Sequence, residues 1–204
     1  MTFPRLIRPL KFYAVLPDAN WIIRMVKAGV HTVQLRNKTL QGKALYQEIE
    51  RCVAACRHSK TQLFINDHWQ MAIDAGAYGI HLGQEDMDTA NFTAIAQAGL
   101  RLGLSTHSIS ELDRALSLAP SYVASGAIFP TATKQMPTEP QGLEKLRAYV
   151  QQAGNTPVVA IGGIDLNNAQ AVLATGVASL AVVRAITESD NPELVVKAFQ
   201  ALWQ

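Results

Sequence analysis

Short apolar runs alternate with amphipathic stretches along the whole chain. Because the runs are short and are rich in Val, Ile, Leu and Phe, they predict strands. The predicted strands are residues 12–16, 31–36, 62–67, 79–83, 101–106, 122–129, 157–163 and 179–186. Apolar residues at helical spacing predict helices at residues 20–28, 40–58, 68–75, 89–98, 108–118, 142–152, 165–175 and 192–202.

The alternation indicates a βα repeat, and about eight strand and helix pairs predict a closed (β/α)₈ barrel, the TIM barrel. No change in composition divides the chain, so all 204 residues, 1–204, are expected to form one domain. An open, doubly wound sheet is the alternative. It is less favoured because no predicted strand is followed by the G-x-G-x-x-G turn of a dinucleotide site.

Composition and charge exclude several classes of function. The net charge of +2 comes from interspersed charges with no basic block, which argues against a nucleic-acid partner. No window approaches the roughly 18 consecutive apolar residues of a membrane span, and the N-terminal stretch lacks a signal-peptide pattern, so a cytoplasmic protein is expected. Cys52 and Cys56 stand four apart in a predicted helix and are interpreted as reduced thiols.

Polar residues concentrate where the predicted strands end. In a barrel the carboxyl ends of the strands meet at one face, so their last residues contribute to one site. The second strand runs into Gln34, Arg36 and Lys38, and residues two apart point the same way along a strand. An amide and two cations are therefore expected together, although a solvent-exposed strand end would show the same pattern.

Carboxylates follow two neighbouring strands. Asp67 follows Asn66 at the end of the third strand, and Asp86 lies in the turn after the fourth. Mg²⁺ prefers oxygen ligands and takes one or two carboxylates beside water and phosphate. Asp67 and Asp86 are therefore predicted magnesium ligands, and the alternative is that each caps the following helix. His81 is interpreted as a core histidine with satisfied hydrogen bonds.

The fifth and seventh strands end in residues that suit an anion. No G-x-S-x-G elbow surrounds Ser105, so Ser105 and His107 are not interpreted as a hydrolase pair, and the Ser105 hydroxyl is expected to donate to a phosphate oxygen. Gly162 and Gly163 would let backbone N–H groups approach an anion, with Asp165 as the N-cap of the next helix.

The sixth predicted strand breaks into a loop that contains hydroxyls and a cation. Thr131 and Thr133 supply the hydroxyls, and Lys134 supplies a charge suited to a phosphate or diphosphate. An ordinary surface loop would also be rich in Thr and Pro. Together with the other strand ends, the loop indicates a doubly phosphorylated ligand or two phosphorylated molecules.

Seven motifs resemble the thiamine phosphate synthase family in order and spacing: VQLRNK, FINDHWQMAI, GIHLGQED, GLSTH, IFPTATK, VAIGGI and LAVVRAIT. The resemblance spans nearly the whole chain. It implies a (β/α)₈ barrel that joins an aminopyrimidine methyl diphosphate to a thiazole phosphate, or its carboxylated form, giving thiamine phosphate and diphosphate. Mg²⁺ is the implied cofactor, the implied partners are small molecules, and a homodimer is expected because the family often forms dimers.

The resemblance also implies roles for individual residues. The pyrimidine diphosphate would be held by Gln34, Leu35, Arg36, Asn37, Lys38, Asn66, Ser105 and Lys134. The thiazole phosphate would be held by Thr131, Ala132, Thr133, Gly163, Val183 and Arg184. Catalysis would rest on Arg36, Lys38, Ser105 and Lys134, and Mg²⁺ would bind Asp67 and Asp86. Arg184 stands where the family usually has serine, which leaves the role of its side chain open.

Two alternatives share the predicted barrel but differ in function. A thiazole tautomerase also binds a thiazole phosphate, but it would not need the Gln34, Arg36 and Lys38 set together with Asp67 and Asp86. A catalytically silent barrel that binds thiamine precursors is the second alternative. The carboxylate pair beside Lys134 argues against it, and an assay of product formation separates it from an enzyme.

Overall fold

The strands close into a parallel barrel. The computed structural model describes residues 2–131 and 139–203. Its strands are β1 (Lys11–Leu16), β2 (Thr32–Leu35), β3 (Gln62–Asn66), β4 (Gly79–Leu82), β5 (Arg101–Thr106), β6 (Tyr122–Ser125), β7 (Val158–Ile161) and β8 (Ser179–Val182). They are hydrogen-bonded in chain order, and β8 pairs with β1 to close the ring. The predicted (β/α)₈ barrel is confirmed, and the open sheet is wrong.

Helices follow the strands and surround the barrel. They are α1 (Ala19–Lys27), α2 (Gly42–Cys56), α3 (Trp69–Asp74), α4 (Phe92–Gln97), α5 (Ile109–Ser117), α6 (Gly142–Ala153), α7 (Ala169–Leu173), α8 (Arg184–Thr187) and α9 (Pro192–Ala201). Side chains in the loops after the strands cap the N-termini of α1 and α5: Asp18 accepts the Trp21 N–H at 2.9 Å, and Ser108 accepts the Glu111 N–H at 3.2 Å. These caps satisfy N–H groups that have no acceptor within the helix.

The period of two along each strand separates two apolar layers. Phe12, Val33 and Leu63 belong to the outer layer, which packs under the helices. The barrel interior is filled by a second cluster that includes Tyr13, Val15, Phe64, Tyr122, Ala124, Val159 and Ala181. Because Gln34 alternates with Val33 and Leu35, its side chain enters this interior, where Nε2 donates to the Tyr13 hydroxyl at 2.9 Å.

Two strands end earlier than the sequence predicts. β6 stops at Ser125, and the next residue, Gly126, lies so close to Ile161 that an added Cβ would be 2.6 Å from the Ile161 carbonyl oxygen. β8 stops at Val182, and the Val183 carbonyl accepts from the Ile186 and Thr187 N–H groups to begin the one-turn α8. Ile186 is fully buried in that turn, so its apolarity did not distinguish a helical turn from a strand.

Both cysteines are free thiols, as predicted. Burial raises the pKa of Cys52, and it raises the pKa of Cys56 to about 12, so both stay protonated near neutral pH. Across residues 2–131 and 139–203, no helix combines the length and the hydropathy that crossing a membrane requires.

Candidate active site

A cavity of about 900 Å³ opens at the carboxyl ends of the strands. This volume lies near the upper end of the range for small-molecule sites. Every strand contributes to its wall, because the last inward residues of parallel strands converge at one face. The sequence-predicted residues that line it are Gln34, Arg36, Lys38, Asn66, Asp67, Asp86, Ser105, Thr131, Gly163, Val183 and Arg184.

Two residues of the QLRNK run direct their side chains elsewhere. Leu35 is buried in the layer under the helices. The Asn37 amide donates to the Pro17 carbonyl at 2.9 Å, and its oxygen accepts the Leu40 N–H at 2.8 Å, so it shapes the loop after β2. A contact of either residue with a ligand would therefore come from the backbone. Ala132, Thr133 and Lys134 lie outside the described residues, and their roles stay predictions.

Lys38, Asp67 and Asp86 form one charged cluster at the edge of the cavity. Lys38 Nζ lies 2.5 Å from Asp67 Oδ2. The pKa of Asp86 is raised, mainly by burial, although the Gly83 N–H that it accepts at 2.9 Å lowers it. The negative charge of Asp67 raises the pKa of Asp86 further, which indicates that the two carboxylates face each other. The cluster thus holds more negative charge than Lys38 alone balances.

Neither aspartate caps a helix, so the capping alternative is wrong. α3 follows His68 without a side-chain cap, and α4 is capped by Asn91. Asp86 instead lies inside a 3₁₀ turn, Asp86–Asp88. Asp67 has a φ of 66°, in the left-handed region. That backbone is uncommon outside glycine, and such residues cluster at functional sites.

His81 is a buried histidine with both ring nitrogens hydrogen-bonded, as interpreted from the sequence. Nδ1 lies 2.8 Å from the Tyr122 hydroxyl, and Nε2 lies 2.8 Å from Ser105 Oγ. Burial lowers the pKa of His81 to about 4, so the ring is neutral at physiological pH and is a weak base. His107 bonds to Glu111 at 2.9 Å. The arrangement does not resemble an activated serine nucleophile.

The turn after β7 is packed too closely for any residue but glycine. A Cβ at Gly162 would lie 2.6 Å from the Ala127 Cβ, and one at Gly163 would lie 2.7 Å from the Pro130 carbonyl oxygen. Both glycines also have positive φ. Asp165 caps the turn that follows by accepting the Asn167 N–H at 2.8 Å, but α7 begins only after Asn168, so the predicted N-cap is three residues early.

The Arg184 side chain is paired inside its own helical turn. Its Nε lies 2.7 Å from Oε1 of Glu188, four residues later, and both side chains are about half exposed. The pair raises the pKa of Arg184 and lowers that of Glu188. Arg184 and Glu188 both line the cavity, so the guanidinium is near a ligand but already has a carboxylate partner.

Sequence reasoning missed several residues that line the cavity. Glu188 could have been found from its spacing of four after Arg184, had the segment been predicted as helix. Tyr13 and Tyr122 stand at strand positions that face the barrel interior. The period of two along a strand separates two faces, but the sequence alone does not indicate which face is the interior one. Gln84, whose Nε2 donates to the Ser105 carbonyl at 2.7 Å, lies within the GIHLGQED motif but was given no role.

These features define a class of protein: a (β/α)₈ barrel with a large cavity at the carboxyl ends of its strands, lined in part by charged side chains, an arrangement typical of enzymes of this fold. The sequence model of the family described as thiamine monophosphate synthase matches residues 13–186. The chain belongs to this family.

Individual relatives agree with that assignment. The chain is 76% identical to a thiamine-phosphate synthase of Neisseria meningitidis serogroup B over 100% of this chain and 99% of the relative. It is 51% identical to that of Klebsiella pneumoniae, covering 92% and 89%. A solved thiamine phosphate pyrophosphorylase from Pyrococcus furiosus superimposes with a TM-score of 0.84 at 27% identity, covering 95% of each chain. The predicted class, a transferase of thiamine biosynthesis, is confirmed.

Proposed function

We propose that this chain joins an aminopyrimidine methyl diphosphate to a thiazole phosphate and releases diphosphate. The observation that carries the proposal is the cluster of Lys38, Asp67 and Asp86, which shares one cavity with the Gly162 and Gly163 turn. The cluster suits a diphosphate with its cation, and the glycine turn suits a second phosphate. A thiazole tautomerase would need only the second of these features, so the cluster favours the synthase.

The pyrimidine diphosphate would lie along the ends of β2, β3 and β5. Gln34 and Asn66 supply amides for the ring and its substituents, and Ser105 supplies a hydroxyl. Arg36 and Lys38 supply positive charge where the diphosphate would bind. Lys134 remains a predicted contributor from the sequence. These groups are held on strand ends, so they need little reorganisation when charge develops on the leaving group.

Mg²⁺ fits the pair of carboxylates. Burial raises the pKa of Asp86 and the charge of Asp67 raises it further, so a divalent cation between the two carboxylates would relieve their repulsion. Among the residues that the structure describes, no three His, Cys, Asp or Glu side chains are grouped to hold a metal. A site with only two carboxylates suits Mg²⁺, which keeps water and phosphate as its other ligands. When bound, Mg²⁺ would supply positive charge to the diphosphate.

The thiazole phosphate would lie at the ends of β7 and β8. The N–H groups of Arg184 and Ala185 begin α8 and have no acceptor within their helix, and the turn at Gly163 brings backbone close to the same cavity. Thr131 lines the cavity from the β6 side. Ala132 and Thr133 stay predicted neighbours of this phosphate.

The protein would act by positioning the two substrates and by stabilising the charge that develops, without a covalent intermediate. The C–O bond between the pyrimidine methylene carbon and diphosphate breaks, and its electron pair leaves with the diphosphate oxygen. The electron-rich aminopyrimidine supports the cation that develops on the methylene carbon. The lone pair of the thiazole nitrogen then forms the C–N bond. Arg36 and Lys38 would stabilise the leaving charge, and the cavity would hold the two partners in line.

The direct test is a reaction with both substrates. The protein is incubated with the aminopyrimidine methyl diphosphate, the thiazole phosphate and Mg²⁺, and thiamine phosphate and diphosphate are quantified. Equal amounts of both products are expected, with no product when either substrate is omitted. Isomerisation of a thiazole phosphate without use of the diphosphate would favour a tautomerase, and binding without turnover would favour the silent barrel. The carboxylated and decarboxylated thiazoles are compared in parallel. The homodimer and the cytoplasmic location stay predictions.

A further inference from the structure

A chain of four hydrogen bonds crosses the barrel interior along the wall of the cavity. Gln34 Nε2 donates to the Tyr13 hydroxyl at 2.9 Å, and the Tyr13 and Tyr122 hydroxyls lie 2.8 Å apart. Tyr122 lies 2.8 Å from His81 Nδ1. His81 Nε2 lies 2.8 Å from Ser105 Oγ. All five residues line the cavity, and the two ends of the chain, Gln34 and Ser105, are the ones proposed to bind the pyrimidine diphosphate.

Counting protons gives this chain a direction. An amide nitrogen only donates, so the Tyr13 hydroxyl accepts from Gln34 and passes its own proton toward Tyr122. The Tyr122 hydroxyl in turn donates to His81 Nδ1. A neutral imidazole carries one proton, which then stands on Nε2 and is donated to Ser105. The Ser105 oxygen accepts the hydrogen bond from His81, so the Ser105 hydroxyl proton is directed to an acceptor outside this chain of hydrogen bonds.

The packing of the barrel interior holds this chain of hydrogen bonds in place. Tyr13 and Tyr122 are buried, with 1% and 0% of their surface exposed, and burial raises the pKa of both, so each keeps its proton. A Cβ at Gly103 would lie 2.1 Å from Tyr122 Cζ, so only glycine leaves room for that ring. Phe64 packs edge-on against Tyr122 with ring centroids 5.1 Å apart. A hydroxyl buried in this way is costly unless it is hydrogen-bonded.

We propose that Tyr13, Tyr122 and His81 are positioning residues that set the donor and acceptor roles of Gln34 and Ser105 toward the pyrimidine diphosphate. With Nε2 committed to Tyr13, the Gln34 carbonyl oxygen is an acceptor for an amino group on the ligand. Ser105, which receives a proton from His81, is a donor to a diphosphate oxygen. This inference rests on the proposed function for the identity of the ligand. Rotating the Gln34 amide by half a turn would reverse every bond and exchange these roles.

The tautomer of His81 tests the direction without any substrate. Nitrogen NMR of ¹⁵N-histidine-labelled protein, with the His81 signal assigned by comparison with His81→Gln, is expected to show Nε2 protonated and Nδ1 unprotonated. Protonated Nδ1 would overturn the proposal, because the chain would then run from Ser105 to Gln34. This measurement gives a result even if the proposed reaction is wrong.

Tyr122→Phe tests the role toward the substrate, because it interrupts the chain and keeps the ring. The KM of the pyrimidine diphosphate is expected to rise about tenfold, the effect of weakening one or two hydrogen bonds, with the KM of the thiazole phosphate unchanged. Tyr149→Phe is the matched control: it removes a buried tyrosine hydroxyl on α6, outside the barrel interior, and both KM values are expected to stay near wild type.

His81 variants separate positioning from packing. His81→Gln keeps an amide that can donate to Ser105 and is expected to retain more affinity for the pyrimidine diphosphate than His81→Leu. The two variants are expected to have equal melting temperatures. An equal rise of both KM values in Tyr122→Phe would mean a general loss of structure and would overturn the proposal, as would unchanged values. If wild type forms no thiamine phosphate, the proposed function fails, while the tautomer measurement still decides the direction of the chain.

Discussion

Lys38 and Asp67 stand at the ends of neighbouring strands, and Lys38 Nζ lies 2.5 Å from Asp67 Oδ2. About half of the Lys38 side chain is exposed, so the ion pair itself adds little to stability. The pair is better explained by function, since it keeps a cation and a carboxylate at the place where a diphosphate and its metal would bind.

Lys38→Met is expected to lower kcat about 100-fold, because it removes one preorganised positive charge from the leaving diphosphate. The melting temperature should change little. Single-turnover assays and thermal melts check the two expectations together. Lys43→Met, at an exposed position on α2, is the control and should leave kcat unchanged. Equal activity of the two variants would contradict the assigned role of Lys38.

Asp86→Asn is expected to act in opposite directions on stability and on magnesium. Without Mg²⁺ the variant should be more stable than wild type, since burial and Asp67 both oppose the charge on Asp86, and an amide oxygen can still accept the Gly83 N–H. The Mg²⁺ concentration needed for half-maximal activity should rise at least tenfold. Urea unfolding with EDTA and a Mg²⁺ titration of activity measure these effects. Asp74→Asn, exposed at the end of α3, should change neither.

Gly163→Ala is expected to destabilise the protein by about 3 kcal/mol or more, because positive φ and steric overlap act together. The added Cβ would lie 2.7 Å from the Pro130 carbonyl oxygen. Gly76→Ala isolates the backbone effect: Gly76 has a φ of 66°, but nothing lies within 4 Å of the added Cβ. Its cost should be about 1 kcal/mol. Urea unfolding of both variants compares them, and equal losses would show that the close contact at Gly163 relaxes.

The fold could be predicted because its signal repeats. Each strand is a short apolar run, and the parallel barrel buries such runs on both faces, so the period of βα units survives an error in any one of them. The errors occurred where burial does not distinguish conformations. Val183 and Ile186 continue the apolar run of β8, yet Val183 already stands at the N-cap of α8 and Ile186 lies in its single helical turn.

The site was predictable only in part, because position along a strand indicates where a side chain starts and not what it contacts. Gln34, Arg36 and Lys38 do line the cavity, as their spacing suggests. Asn37, in the same run, instead donates a hydrogen bond from its side-chain amide to the Pro17 carbonyl. The bond of Ser105 to His81 joins two strands, and the sequence next to either residue contains no signal for it.

The buried His81 predicts how stability depends on pH. Its pKa is lowered from 6.5 to about 4, so between these values the unfolded chain binds a proton that the folded chain does not. The free energy of unfolding should therefore fall as the pH drops through this window, by about 3 kcal/mol at most from this group. His81→Gln lacks this contribution, whereas other titrating groups act alike in both proteins. Urea unfolding at pH 7 and pH 4.5 should show the stability difference between wild type and variant shrinking in acid; a constant difference would mean that His81 takes up a proton equally in the folded and unfolded chains.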